Sequence, residues 1–275
     1  MALASFARLS QAEDAETGAR SHTAYDESKL PCWAKGEPRA FLAGRAIAGS
    51  GFGRVALAAG YGKPHWLWAG PEVVGFVSPF YAAWSGGIHV RAAIVDLTIL
   101  WRRTYSFEFG TLPAARSVSS AELRSSPGRA RYYSLDARLS GFLPISRLLI
   151  AWEVTYIRPI DLAASPLVYE EAQRIVIGSR GLVTTKLTPM VRVLTARDFY
   201  AGLFAEHLSL LGRPDSLVFR LGPSLYLTLS DHWDAMGFAS WPLLGADSLG
   251  AWDGMYGAIA ARYRFATQEA RGGPR

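Results

Sequence analysis

The stretch "AAIVDLTILWRRTYSFEF", residues 92–109, decides how this chain is read. Its odd positions run Ala93, Val95, Leu97, Ile99, Trp101, Arg103, Tyr105, Phe107, Phe109, so all but one are apolar or aromatic. Its even positions include Asp96, Thr98, Arg102, Thr104, Ser106 and Glu108. Successive side chains of a β-strand point to opposite faces, so this spacing predicts a ribbon with one greasy face and one polar, charged face.

The same pattern recurs along the chain. In 131–143, Tyr133, Leu135, Ala137 and Leu139 oppose Ser134, Asp136, Arg138 and Ser140. In 147–158, Leu148, Ile150, Trp152, Val154 and Tyr156 oppose Glu153 and Thr155. In 217–229, Phe219, Leu221, Leu225 and Leu227 oppose Arg220, Ser224, Tyr226 and Thr228. In 233–243, Trp233, Ala235, Ala239, Trp241 and Leu243 oppose Asp234 and Ser240. The last regular stretch, "MYGAIAARYRF" (255–265), sets Ile259, Ala261, Tyr263 and Phe265 against Ala260, Arg262 and Arg264.

Two architectures use such ribbons. A soluble sandwich buries the apolar side against a second sheet and wets the polar side. A transmembrane barrel turns the apolar side to lipid and the polar side to the lumen. Three features favour the barrel. The apolar faces end in aromatics (Trp101, Tyr105, Phe107, Tyr133, Trp152, Tyr156, Tyr263, Phe265), as membrane-interface girdles do. The charged face carries arginine with Asp or Glu and few lysines. Connections alternate between short turns ("LPIS", "WSGG", "SDH") and longer loops (110–130, 159–172).

The closing stretch 255–265 resembles the last strand of bacterial outer-membrane β-barrel proteins, with an alternating apolar face and a near-terminal aromatic. The resemblance covers roughly 40–265 as an architecture and singles out no subfamily. It implies residence in the bacterial outer membrane, contact with outer-membrane lipid, and recognition of the 255–265 strand by the barrel assembly machinery through Phe265, beside Tyr263. Ten residues, "ATQEARGGPR", follow Phe265 and depart from the usual pattern.

The expected fold is all-β, a transmembrane antiparallel up-and-down barrel of about 10 strands (range 8–12). Candidate strands are 52–61, 70–83, 88–109, 131–143, 147–158, 173–188, 197–211, 217–229, 233–243 and 255–265. Residues 38–48 are a further candidate, and 198–211 also suits an amphipathic helix capped by Asp198. Residues 1–37 are polar and mixed and read as a flexible periplasmic N-terminal arm, 38–265 as the barrel, and 266–275 as a C-terminal tail.

Composition agrees. Of 275 residues, 50% are hydrophobic and 19% charged, below the roughly 25% usual for soluble chains. The net charge of +6 is scattered with no basic run, which argues against nucleic acid as a partner. Cys32 is the only cysteine, so an internal disulfide and a cysteine-built zinc site are excluded. The longest uncharged run, Val73–Ile88, is too short and too rich in Gly and Pro for a membrane helix. No complete secretory signal is visible; the triplet Ala2-Leu3-Ala4 matches the small-x-small end of a signal-peptide cleavage site, and if it is a cleavage remnant the reading frame should extend upstream into a charged-then-apolar signal.

Candidate functional residues follow from the polar faces. Arg54, Glu72, Asp96, Arg102, Asp136, Arg138, Glu153, Arg220, Asp234, Arg262 and Arg264 are expected to form an ion network in the lumen, with Glu108, Arg174 and Arg180 as further members. An unpaired buried ion costs several kcal/mol, so such charges must be paired. One reading is a structural or partner-binding barrel filled by ion pairs, with an envelope protein as a possible partner; a second is a narrow, anion-leaning pore. A third is a lipid hydrolase using His207 and Ser209, which would share a strand face but lack the asparagine usual after the serine, having Leu210. A fourth is a soluble β-rich binding protein. "GSGFGRVALAAGYG" lacks the G-x-G-x-x-G spacing, and His22, His65, His89 and His232 have no carboxylate or cysteine at ligand spacing, so neither cofactor nor metal is expected.

Overall fold

The computed structural model describes residues 35–126, 128–162, 167–194, 198–213, 217–249 and 255–267. The expected N-terminal arm (apart from 35–37), Cys32, the 2–4 triplet and nearly all of the C-terminal tail lie outside the described residues. In chain order the elements are β1 (Arg39–Gly49), β2 (Phe52–Lys63), β3 (Leu67–Val77), β4 (Tyr81–Ala92), β5 (Val95–Ser106), β6 (Thr111–Leu112) and α1 (Ser120–Arg124). There follow β7 (Arg131–Ile145), β8 (Leu148–Pro159), β9 (Leu167–Glu170), β10 (Ile175–Ile177), β11 (Leu182–Leu194) and β12 (Phe199–Leu210). The chain ends with β13 (Leu217–Thr228), β14 (Trp233–Leu244) and β15 (Tyr256–Ala266).

Twelve of these strands close into an antiparallel barrel, each paired with its neighbour in the chain and β15 returning to β1. Wall strands of 11–15 residues are long enough to cross a bilayer, for which roughly 9–11 tilted residues suffice. Closure leaves no unpaired sheet edge. The ladder from Ala43↔Ala266 to Gly49↔Ala260 forms the seam, seven residue pairs against eleven between β1 and β2.

Alternation sets the facing. Along β5 the odd residues Leu97, Ile99 and Trp101 are exposed while Asp96, Thr98, Arg102, Thr104 and Ser106 are buried. Odd positions face outward in β7, β13, β14 and β15 as well, and even positions do so in β8, so the expected faces of all six stretches are the observed ones. The outside is therefore a belt of large apolar side chains, among them Leu42, Val73, Ile88, Ile99, Leu187 and Ile259.

Twelve wall strands stand at the upper end of the expected range, not at ten. Segments 70–83 and 88–109 together make three strands, because a turn at Ala93-Ile94 separates β4 from β5 and Gly86-Gly87 lies inside β4. Ala93 holds a left-handed φ of 48° with no Gly, Asn or Pro to mark it. Gly87 imitates a turn residue but has a packing role: a Cβ there would stand 2.0 Å from the Ile99 carbonyl oxygen. Hence "WSGG" is strand, while the turns after "LPI" and around "SDH" are turns. Residues 38–48 supply β1, and 198–211 is strand β12 with no helix. Segment 173–188 splits between β10 and β11.

The barrel has two unlike ends. Both chain termini of the barrel and the turns β2–β3, β4–β5, β7–β8 and β13–β14 share the short-turn end. The opposite, loop end carries the β5–β7 and β8–β11 connections. These contribute β6, β9 and β10, which pair as a small sheet in the order β10-β9-β6. One side of that sheet (Val168, Ile175, Ile177) packs on lumen-facing Tyr132, Ile157, Leu182, Leu208 and Val218. Its other side (Leu112, Tyr169, Val176) packs under Val118, Leu123 and Leu249. Leu123 belongs to α1, a single turn started by a capping box between Ser119 and Glu122. An eight-stranded barrel is filled by its own wall side chains. Twelve strands enclose more, and here returning loops enter the mouth as a plug.

Candidate functional site

The lumen is the candidate site, built by residues opposed across the wall ladders. Glu153 of β8 faces Lys186 of β11, Lys186 faces Glu206 of β12, and Glu206 faces Arg220 of β13. Lys186 Nζ lies 3.2 Å from Glu153 Oε1 and 3.5 Å from Glu206 Oε1, and Arg220 Nη1 donates to Glu206 Oε2 at 2.8 Å. Directly opposed residues alternate in sign, the arrangement that stabilises a ladder.

A second group lies on β1 and β3–β5. Arg45 Nη2 donates to Glu72 at 2.7 Å, and His89 Nδ1 meets Glu72 Oε2. His89 Nε2 lies 2.6 Å from Asp96 Oδ1, and Arg91 Nη1 lies 3.4 Å from Asp96 Oδ2. Trp68 packs on the His89 ring with centroids 4.5 Å apart. Both nitrogens of this buried imidazole thus lie against carboxylates, one on each neighbouring strand.

A third group closes the last strands. Asp234 takes Arg262 Nε at 2.8 Å, Arg264 Nη2 at 3.2 Å and the Tyr226 hydroxyl at 2.6 Å. Across the seam, Arg264 stands opposite Arg45, and each guanidinium turns away to a carboxylate on its own side.

The fourth group ties the plug to the wall. Glu170 of β9, fully buried, accepts Arg102 Nη1 at 3.0 Å, Arg102 Nη2 at 2.7 Å and the Tyr132 hydroxyl at 2.6 Å. Arg102 Nε also lies 2.8 Å from Asp136 Oδ2. Arg220 Nη2 donates to the Arg174 carbonyl at 3.0 Å, and Arg213 donates to the Val176 carbonyl at 2.9 Å while pairing with Asp247. In the turn between β9 and β10, the Glu171 carboxyl is pushed up to about 7, chiefly by burial, with Glu170 beside it adding to the rise and a hydrogen bond from Ser106 opposing it.

Of the expected network, Glu72, Asp96, Arg102, Arg220, Asp234, Arg262 and Arg264 are buried in the lumen, and Arg54, Asp136, Arg138 and Glu153 are half-buried on its wall. Arg138 Nη2 donates to Thr98 Oγ1 at 3.4 Å. Three further expectations need correction. Glu108 is exposed beyond the end of β5, Arg174 sits in the β9–β10 turn with its guanidinium over Phe80, and Arg180 is exposed on the loop-end rim. Arg45, His89, Arg91, Lys186, Glu206 and Glu170 were missed. Strand parity points to Arg45, Lys186 and Glu206, but partner identity depends on register, which is not written in any one strand.

The eight named aromatics point outward. Tyr105, Tyr133 and Tyr156 stand toward the loop end and Trp152, Tyr263 and Phe265 toward the short-turn end, with Trp101 between; Phe107 follows β5. The Phe265 ring covers Gly44 on the outer surface, where a Cβ would come within 2.3 Å of it. His207 and Ser209 share the outer face of β12, as their spacing implied. Their cross-strand neighbours Val183, Thr185, Leu217 and Phe219 offer no acid, and no hydrogen bond joins the pair. Among the described residues, no group of three or more His, Cys, Asp or Glu is placed to hold a metal ion, and no helix is long and apolar enough to cross a membrane.

Closure, an apolar exterior and a charged interior are the architecture of the outer-membrane β-barrels. Solved structures with a similar course include the Acinetobacter baumannii outer membrane protein Omp33 (8% identity, TM-score 0.39, 83% of this chain and 99% of that one). Another is the β-domain of the Bordetella autotransporter Brka (11% identity, TM-score 0.39, 83% and 98%). A third is OmpT of Vibrio cholerae (10% identity, TM-score 0.36, 83% and 98%). Superpositions this loose carry no argument about activity. No family model matches the chain, and no curated protein sequence matches it.

Proposed function

We propose that this protein is an integral barrel of the bacterial outer membrane whose lumen is closed by ion pairs and by its own loops, with a structural or partner-binding role. The observation that carries this reading is the β6–β9–β10 sheet seated in the mouth and tied to the wall by Glu170, Arg102 and Tyr132. An apolar belt around a closed sheet has a favourable place in a bilayer and none in water. Long loops at one end and both barrel termini at the other match the outward and periplasmic ends of such barrels. The loop-end cap is the surface offered to an envelope partner. β15, with Tyr263 and Phe265, is the segment offered to the assembly machinery.

The test is electrical. The full chain, folded into planar phosphatidylcholine bilayers, is expected to give no stable conductance steps. A steady ohmic current would overturn the closed reading. A second reading, a narrow anion-leaning pore, has one observation behind it: around the seam, the described residues facing the lumen include the arginines Arg45, Arg54, Arg91, Arg262 and Arg264 beside the carboxylates Glu72, Asp96 and Asp234. A current with an anion-selective reversal potential would favour it.

A further inference from the structure

On the outer surface, at the loop-end rim, a cavity of about 580 Å³ opens between β7, β8 and the start of β11. Leu135, Tyr156 and Ile160 form its apolar wall, and Ser179, Arg158 and Arg180 its polar side. We propose that this cavity binds the phosphorylated headgroup of an anionic membrane lipid, with the lipid chains lying down the apolar faces of β7 and β8. The proposal rests on the membrane reading above.

Charge is the first ground. The lumen arginines Arg102, Arg220 and Arg262 meet carboxylates, whereas Arg158 and Arg180 are exposed and have no ion-pair partner among the described residues. Two more guanidiniums flank the site on the same outer face. Arg103 lies 4.9 Å over the Tyr105 ring and 5.0 Å over Tyr133, and Arg131 lies 5.9 Å from the Tyr105 ring. Asp161, next to Ile160 in the chain, accepts the Tyr133 backbone N–H at 2.7 Å. Guanidinium is the side chain best shaped to take phosphate oxygens in pairs, and a serine hydroxyl adds a donor.

Height is the second ground. On β8 the outward residues from Leu148 to Tyr156 are apolar or aromatic, and Arg158 is the next outward position. Ten residues at ~3.4 Å each, tilted by about 40°, rise roughly 25 Å, the height of the apolar band of such barrels. Arg158 therefore stands where hydrocarbon gives way to headgroups. Leu135, directly opposite Arg158 across the β7–β8 ladder, begins the apolar path below it.

The test uses the full chain folded in a neutral detergent and titrated, by native mass spectrometry, with dioleoyl phosphatidic acid. Dioleoyl phosphatidylcholine and inorganic phosphate are the comparison probes. The expected result is retention of phosphatidic acid in preference to both. Arg158→Gln/Arg180→Gln should weaken it about thirtyfold, from the worth of two arginines at an anionic lipid surface. Ser179→Glu, which puts a carboxylate into the cavity, should weaken it as well, and Arg147→Gln at the short-turn end should not. Equal retention of phosphatidylcholine, or an unchanged affinity in both cavity variants, overturns the proposal. Retention of inorganic phosphate alone, without lipid, overturns it too. Folding yield in phosphatidylcholine vesicles is scored separately: a chain that folds there but selects no phosphatidic acid refutes this inference alone, and one that never inserts refutes both.

Discussion

Replacing Glu170 by Gln should loosen the plug while leaving the barrel closed. Glu170 is fully buried and holds both terminal nitrogens of Arg102 and the Tyr132 hydroxyl. Unit charges about 4 Å apart attract by roughly 4 kcal/mol at an effective dielectric of ~20. Removing one member of a buried pair destabilises by roughly 3–5 kcal/mol, because the survivor is stranded. Here the survivor is not fully stranded, since Arg102 keeps Asp136 at 2.8 Å. Glu170→Gln therefore belongs at the low end, about 3 kcal/mol, a factor on the order of 100 in the population of the open mouth. Arg102→Met strands two carboxylates at once, Glu170 and Asp136, and belongs at the high end. Single-channel recording would show brief openings in Glu170→Gln and longer ones in Arg102→Met, against a silent wild type. Urea titration of vesicle-folded protein should lower the first transition in the same order. Wild-type silence and a wild-type urea midpoint in both variants would refute the reasoning, since the plug would then be held by its apolar contacts alone. The reverse order would show that Asp136 is not the reserve partner of Arg102.

Three further outcomes are expected. Unboiled protein should migrate faster than boiled protein on a detergent gel, as a closed barrel that resists the detergent does, and a detergent-free monomer in buffer would contradict it. Val154→Arg, on the exposed outer face of β8, should lower folding yield in vesicles by roughly 2–4 kcal/mol, whereas Ile160→Arg at the rim should change it by about 0–1 kcal/mol; equal losses would contradict the depth assignment. Because the Glu171 carboxyl is raised to about 7 in the folded plug, its contribution is complete below the ordinary carboxylate range and is lost as pH rises through about 7. Proteolysis of the β8–β11 loop should accordingly be slower at pH 5 than at pH 8, and Glu171→Gln should flatten that difference.

Facing was legible because period 2 survives every detail of packing: Val95 to Ser106 tells its two sides apart without any partner. Counting strands failed where turn chemistry was disguised. Ala93-Ile94 turns without a turn residue, and Gly86-Gly87 signals a turn where the wall only needs room for the Ile99 carbonyl. The plug was hidden for a related reason. Ile175-Val176-Ile177 is apolar on both sides because both sides are covered, and beside "LVTTKL" it passes for the start of a wall strand. His89 could not be joined to Glu72 and Asp96 from spacing, since 17 and 7 residues separate them and only the β3–β4–β5 register brings them together.

The seam has a consequence for how the molecule comes into being. Every other wall pairing joins strands adjacent along the chain or separated by one loop, so hairpins can zip in sequence. Only the Ala43↔Ala266 ladder must gather ends more than 200 residues apart, and it does so with seven residue pairs and with Arg45 set against Arg264. Loop-closure entropy grows only as the logarithm of length, so distance alone is a modest obstacle. The two facing guanidiniums are the sharper one: until Glu72 and Asp234 have been delivered by β3 and β14, closing the ring would press like charges together. The barrel thus carries an electrostatic latch that orders its own birth, with the neighbours of each edge strand in place before the edges meet.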